Sequence, residues 1–173
     1  MLILGVDPGT AVTGYGLVRL GERATPRLVE CGVIRTRAQD PLPPRLLEIS
    51  TALRAIIDRC QPDLMAVEDI FYARNVRTTV VLGHARGVIL LAGAQSGLEV
   101  HEFPPAEIKK AVTGTGNATK EQVQFMVARL LRLASPPSPA DAADAVAVAL
   151  TLSMRVHLLP TRDTRRTAAG AAC

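Results

Sequence analysis

Four acidic residues stand in segments that are otherwise apolar, where an unpaired charge is costly. Asp7 and Glu68 each end a short apolar run, and Asp141 and Asp144 lie in an alanine-rich segment with almost no polar face. Residues three apart share one face of a helix. Carboxylate oxygens suit Mg²⁺ or Mn²⁺, and two such ions about 4 Å apart can activate a water and stabilise the leaving oxygen of a phosphodiester. The four acids are therefore candidates for one hydrolytic metal site.

Each acid also has an ordinary structural interpretation. Asp141 could be a first-turn acid of a helix capped by Ser138, where a negative charge complements the helix dipole. Asp7 precedes Pro-Gly and could cap a turn, and Glu68 is followed by a second acid and could mark a solvated strand end. Asp144 is the hardest to explain in this way because its neighbours are all apolar. Spacing alone leaves these alternatives open.

The surrounding pattern predicts an α/β domain. Three β-rich segments close together predict an antiparallel meander, and the strands and helices that follow predict a mixed five-stranded sheet with helices on both faces. If the strands ending at Asp7 and Glu68 are neighbours and the last helix crosses their carboxyl ends, the four acids converge. The predicted strands are Leu2–Asp7, Gly14–Arg19, Arg27–Arg35, Leu64–Val67 and Leu98–Phe103; the predicted helices begin near Pro43, Thr78, Glu107, Thr119 and Asp141, the last running to Val156.

Composition limits the classes of protein to consider. The 173 residues, 48% of them hydrophobic, suit one domain with its own core. A formal net charge of +4 is compatible with a polyanionic partner without being diagnostic. Three cysteines without paired spacing argue against a zinc site and for a reduced, cytoplasmic setting. Neither a signal peptide nor a membrane span is expected.

One aromatic residue stands out because aromatic residues make up only 3% of the chain. Phe71 lies in a polar stretch with Arg74, Asn75 and Arg77. An aromatic among cations is typical of stacking on single-stranded nucleic acid. The two arginines, with Arg86 further on, are candidate phosphate contacts. The alternative is that Phe71 folds back into the core.

Short motifs form a series along nearly the whole chain, from Leu2 to about Val156. In order they are Gly5-Val6-Asp7-Pro8-Gly9-Thr10, Thr13-Gly14-Tyr15-Gly16, Pro62-Asp63, Ala66-Val67-Glu68, Phe71 with Asn75, Leu82-Gly83-His84-Ala85-Arg86-Gly87, Gly114-Thr115-Gly116, Lys120 with Gln122-Val123-Gln124, and Ala140-Asp141-Ala142-Ala143-Asp144-Ala145. One such motif is weak evidence. The complete series resembles the RuvC family of Holliday junction resolvases.

The resemblance implies a ribonuclease H-like fold for residues 1–156. Residues 157–173, polar or alanine-rich and without periodicity, are expected to form a disordered tail. The implied activity is resolution of four-way DNA junctions by paired symmetric nicks, in recombination and DNA repair. The resemblance assigns two Mg²⁺ or Mn²⁺ ions to Asp7, Glu68, Asp141 and Asp144, although some relatives have His where this chain has Asp141.

The resemblance also singles out two lysines, Lys109 and Lys120, as DNA contacts, with Lys120 catalytic. A lysine beside a glycine loop suits a phosphate or charge that develops in a transition state. For Lys109 the alternative is a solvated helix face shared with Lys110. Phe71 resembles the family's aromatic near the junction crossover, whereas His84 is assigned no role.

A four-way junction has two equivalent strands to cut, so we expect a homodimer with matching twofold symmetry. The segment Thr78–Gln95 is the candidate interface helix because it is apolar on more faces than one sheet can cover, and Gly83 and Gly87 would permit close approach. Burial of this helix on three sides within one subunit is the alternative. The resemblance further implies the RuvAB branch-migration complex as a partner.

Three other classes of protein compete with the resolvase. A shorter RuvC-like family processes ribosomal RNA precursors, but the Phe71 segment and the paired acids of the last helix favour the resolvase. ATPases related to actin and sugar kinases need two duplicated halves, and this chain holds one. A junction-binding module without catalysis has no reason to keep four acids, since acids repel phosphate unless a metal intervenes.

Overall fold

The structure is a computed structural model, and it describes residues 1–21, 25–69 and 76–158. The strands are β1 (Leu2–Asp7), β2 (Val12–Leu20), β3 (Pro26–Arg35), β4 (Leu64–Glu68) and β5 (Glu99–Phe103). The helices are α1 (Leu42–Cys60), α2 (Val76–Gln95), α3 (Pro105–Thr113), α4 (Lys120–Leu131) and α5 (Ala140–Ser153), followed by a 3₁₀ turn at Val156–Leu158. The candidates Phe71, Arg74 and Asn75, and the tail beyond residue 158, lie outside the described residues.

The five strands form one mixed sheet in the order β3-β2-β1-β4-β5. β1, β2 and β3 are the predicted antiparallel meander, whereas β4 and β5 run parallel to β1. Val6 is paired with Val67, so the next residue along each strand, Asp7 and Glu68, emerges at the same edge of the sheet. The predicted mixed sheet is confirmed.

Helices cover both faces of this sheet. Ile3, Val18 and Ala66 belong to a buried cluster with α3, α4 and α5. On the opposite face, Leu4 and Leu17 pack in a second cluster with α1 and α2. The central strands β1 and β4 are buried on both faces, which is why their sequences read as continuous apolar runs.

Helix α5 lies unusually close to the sheet because glycines face it. A Cβ atom on Gly14 would lie 2.0 Å from the carbonyl oxygen of Asp141, and one on Gly5 would lie 2.2 Å from that of Ala145. Gly14 is the β2 partner of Asp7. Backbone contact therefore sets the start of α5 beside the carboxyl end of β1.

The ends of α5 differ from the prediction. The residue that caps the helix is Pro139, with no side-chain hydrogen bond, so the proposed Ser138 cap is wrong: Ser138 lies one residue too early. The helix ends at Ser153 rather than Val156. Arg155 N bonds to Leu152 O, which tightens the chain into a 3₁₀ turn, and the Arg155 guanidinium is held by Glu107 at 2.8 Å.

Helix α2 is buried on one side only. Its buried residues are Ala85, Ile89, Ala92 and Gly93, while Leu91 is 52% exposed. The alternative of three-sided burial within one subunit is therefore wrong.

In the described part of the chain, no helix combines the length and hydrophobicity that crossing a bilayer requires.

Candidate active site

The fold brings three of the predicted acids to one cleft. Asp7, Glu68 and Asp144 line a cavity of about 160 Å³ together with Lys109 and Lys120. Its apolar wall is contributed by Pro105, Ile108, Val123 and Ala147. The fourth acid does not line this cavity.

Three elements position these carboxylates. β1 and β4 are parallel neighbours, so Asp7 and Glu68 leave the sheet side by side. Asp144 lies on α5, one turn after Asp141, whose backbone rests on Gly14. Asp141 is close enough for its charge to act on the carboxyl of Asp7. The backbone therefore brings Asp7, Glu68 and Asp144 to one cleft, with Asp141 nearby but outside its lining.

The shared environment changes the acidity of the two strand-end carboxyls. The pKa of Asp7 is raised to about 8, first by burial and then by the charges of Glu68 and Asp144 and by a hydrogen bond with Glu68. Burial also raises the pKa of Glu68, although the bond with Asp7 and the charges of Lys120 and Lys109 oppose it. The Asp7–Glu68 pair therefore keeps a proton near neutral pH, held in the hydrogen bond from the Asp7 carboxyl to the Glu68 carboxylate.

Lys120 is held at the mouth of the cleft by the start of α4. Thr119 Oγ1 accepts a hydrogen bond from Gln122 N, and Gln122 Oε1 accepts one from Thr119 N, which confirms the predicted capping box. Lys120 follows Thr119 directly, and its ammonium group donates a hydrogen bond to Asp144 Oδ2 at 3.2 Å. This contact with Asp144 raises the pKa of Lys120, which therefore stays positively charged.

Crowded carboxyls such as Asp7, whose pKa is raised in part by the charges of Glu68 and Asp144, form a donor set that fits a hard divalent cation, because a cation removes their repulsion. Yet across residues 1–21, 25–69 and 76–158, no three His, Cys, Asp or Glu side chains already form a metal-binding group. Asp7 points its proton at Glu68, and Asp144 is held by Lys120. The backbone nevertheless places these carboxyls within reach of a shared cation. Binding such a cation requires only that their side chains change rotamer, which is a smaller change than moving a strand.

Arg86, predicted to contact DNA, has partners within the protein. Its Nη2 lies 3.0 Å from Asp69 Oδ1 and also contacts the Glu102 carboxylate. Asp69 follows Glu68 directly, and Glu102 lies in β5. Arg86 thus ties α2 to the ends of two strands beside the cleft, in addition to any role in binding DNA.

The other candidates are more peripheral. Arg77 is exposed in the first turn of α2. His84 Nδ1 lies 2.7 Å from the carbonyl oxygen of Val80 in the same helix, in keeping with the absence of an assigned role. Asp69 and Glu102 were missed by sequence reasoning, since nothing in the chain relates them to Arg86. Gly14 had a detectable signal, because a glycine inside a strand often marks a close backbone approach.

Comparison with known proteins gives a consistent result. Residues 3–152 match the family model described as crossover junction endodeoxyribonuclease RuvC. A protein with that description from Desulforamulus reducens is 51% identical over 151 residues, which cover 87% of this chain and 91% of the relative.

Two solved structures are also similar. Thermus thermophilus RuvC superposes with a TM-score of 0.83 at 34% identity, covering 91% of this chain and 96% of that one. The complex of T. thermophilus RuvC with a Holliday junction substrate gives a TM-score of 0.85 at 33% identity, with the same coverage. The range matched by the family model contains all four acids and both lysines.

Proposed function

Because the chain belongs to the RuvC family of crossover junction endodeoxyribonucleases, we propose that it resolves Holliday junctions by paired, symmetric nicks in opposing strands, in homologous recombination and DNA repair. The protein is a metal-dependent endodeoxyribonuclease. The proposal concerns the geometry of the cuts, the number and identity of the metals, and the residues that act.

One observation carries this proposal: a cleft of partly buried acids in a basic protein. Asp7, Glu68 and Asp144 line the cavity, whereas the whole chain has a pI near 9.3. Acids at a surface that receives DNA repel it unless a cation stands between them. Lys109 and Lys120 line the same cavity and supply positive charge there, which suits a phosphodiester.

In this proposal Asp7, Glu68, Asp141 and Asp144 hold two Mg²⁺ or Mn²⁺ ions. Bound ions of this kind lower the pKa of a water and stabilise the charge on the leaving oxygen. Among the protein's own groups, the Lys120 ammonium is placed to face charge that develops on the phosphate.

The remaining contacts hold the DNA. Lys109 lies on the wall of the cleft and binds a phosphate oxygen. Phe71 stacks on an unpaired base near the crossover. The polar candidates bind the backbone around it; they are Arg74, Asn75, Arg77 and Arg86.

A homodimer completes the proposal, because two equivalent strands require two cleavage sites. An apolar groove of about 450 Å³ runs between α1 and α2 and includes Gly83, Gly87 and Leu91. A Cβ atom built on Gly83 or Gly87 meets nothing within 4 Å, so a second helix has room to approach. The family resemblance also makes the RuvAB branch-migration complex a proposed partner.

The test is incubation of a synthetic four-way junction with the protein and Mg²⁺, with the nicks mapped on all four strands. Nicks at matching positions in two opposing strands support the proposal. Asp144→Asn should abolish them, whereas Asp58→Asn, an exposed acid of α1, should leave them unchanged. Equal cutting of linear duplex, or cutting only of structured RNA, would contradict it.

A further inference from the structure

Three arginines line a second cleft that no step of the cleavage reaction uses. Arg19 in β2, Arg27 in β3 and Arg132 at the end of α4 border a space of about 470 Å³ with Gly21 and Thr25. All three arginines are exposed. The cleft therefore presents positive charge to solvent.

This arginine cleft lies at the opposite end of the sheet from the acids. In the β1–β2 register, Arg19 pairs with Leu2 at the start of β1, whereas Gly14 pairs with Asp7 at its end. Five residues of strand separate the two positions, which is about 17 Å. The arginines are thus too far away to touch the phosphate that is cut.

The like charges of the cleft lie close together. Arg19 and Arg27 are direct cross-strand partners, and like charges placed directly opposite each other destabilise a sheet. Over the stretches 1–21, 25–69 and 76–158, the side chains of these two residues and of Arg132 make no ion pair. An anion bound between them would remove this repulsion.

We propose that the arginine cleft binds backbone phosphates of a junction arm, away from the cut. This inference rests on the proposed junction substrate and extends its contact surface. The planar guanidinium group matches a phosphate through two parallel hydrogen bonds. Because a duplex rises about 3.4 Å per base pair, a separation of about 17 Å places the bound phosphates about five or more base pairs from the cut.

The chemistry of the lining favours DNA over an acidic protein segment. Among the described residues, those that line the cleft are arginine, glycine and threonine. Protein interfaces gain most of their affinity from aromatic and apolar anchors in pockets, and none of these described lining residues is such an anchor. Protein–DNA contacts are polar and positively charged, and hydroxyl and backbone N–H groups commonly join arginine at phosphates.

The experiment compares junctions with long and short arms, each closed by a hairpin loop so that short arms stay paired. The triple variant Arg19→Gln/Arg27→Gln/Arg132→Gln should bind long-armed junctions at least about tenfold more weakly near 0.1 M salt. Its plot of log affinity against log salt should be shallower by about 0.9 for each phosphate that the variant no longer neutralises. Short-armed junctions should be bound and cut as by the wild type, which also shows that the variant is folded.

Arg54→Gln provides the control for charge, because Arg54 is exposed on α1 and lines neither cleft. Arg54→Gln should leave the affinity for long-armed junctions unchanged, whereas Arg19→Gln should lower it. If the triple variant lost equal affinity for long-armed and short-armed junctions, or lost none for either, the proposed role of the arginine cleft would be wrong. Junction cutting by the wild type would still support the proposed function. If, in a competition assay with the wild type, polyglutamate displaced long-armed junctions at a lower concentration than duplex DNA does, that result would assign the arginine cleft to an acidic protein instead. Failure of the wild type to cut any junction would reject the proposed function itself.

Discussion

Lys120 Nζ lies 3.2 Å from Asp144 Oδ2 at the mouth of the acid cleft. The lysine side chain is 72% exposed, whereas that of Asp144 is 16% exposed. An exposed ion pair contributes little stability, so the ammonium can leave Asp144 at small cost. The same position allows Lys120 to meet a phosphate that enters the cleft.

Lys120→Ala should therefore slow cleavage about 10²–10³-fold while junction binding changes little, because one cation aimed at developing charge has an effect of that size. Single-turnover cleavage and gel-shift affinity measure the two quantities separately. Lys110→Ala, which removes an exposed neighbour of the other lysine on α3, is the control. A loss of binding as large as the loss of rate would make Lys120 an ordinary phosphate contact.

Asp7→Asn should stabilise the protein in EDTA at neutral pH. The pKa of Asp7 is raised from 3.8 to about 8 in the folded protein, so the folded state binds this proton more tightly and stability falls as pH rises between these values. Asparagine removes that fall. The gain should be at least about 1.4 kcal/mol, the equivalent of one pKa unit, and should vanish below pH 3.8.

Thermal melts across this pH range check the prediction, with Asp58→Asn as an exposed-acid control. The variant should also gain less stability from Mg²⁺, which stabilises by binding the folded state. A variant that is less stable than the wild type throughout would show that the Asp7 carboxylate is an ordinary turn cap.

Asp144→Asn should abolish cleavage and reduce the stabilisation by Mg²⁺ or Mn²⁺, and Asp141→Asn should act in the same direction. If Asp141 serves only the helix dipole, its replacement should instead lower stability by about 0.3–1 kcal/mol and leave cleavage intact. Melts with and without metal, together with cleavage assays, separate the two outcomes. A normal metal response and normal cutting in both variants would refute the four-carboxylate site.

Arg86→Gln should weaken metal binding and slow cleavage, because Arg86 holds Asp69, the residue next to the proposed ligand Glu68. The expected loss is about 10-fold, the lower end of the range for a group that touches a ligand directly. Without the guanidinium, Asp69 and Glu102 repel each other beside Glu68. Arg86→Lys keeps the charge but loses the fork that spans both acids, so it should restore only part of the activity. The metal concentration at half-maximal rate is the decisive measurement. If only junction affinity changes, Arg86 is a DNA contact alone.

The wild type should scatter light as two chains at micromolar concentration, and Leu91→Glu should scatter as one, because the new charge would be buried at the proposed α2 interface. Leu47→Glu is the control, since Leu47 is 68% exposed and does not line the α1–α2 groove. A wild-type monomer, or a dimer unaffected by Leu91→Glu, would contradict the proposed interface.

Sequence reasoning predicted those features of the structure that short local sequence patterns determine. Apolar runs ending in Asp7 and Glu68 indicated two strands and their acids, and Thr119 with Gln122 indicated the start of α4. The partners of Arg86 were not predictable, because they join residues brought together only by tertiary packing. The extent of α5 was misjudged because helix periodicity does not show that Pro139 takes the N-cap position or that an Arg155 N–Leu152 O bond follows the end of the helix.

The close contact between Gly14 and the backbone of Asp141 has a consequence for how this site can vary. Main-chain atoms, which every amino acid shares, determine the separation of α5 from β1. The side chains of Ala145 and Ala149 lie against the same glycines and must stay small for the same reason. Even one methyl group at Gly14 would move the helix and the carboxylates it carries. A residue with no side chain is thus among the strongest determinants of the distance between the reactive groups.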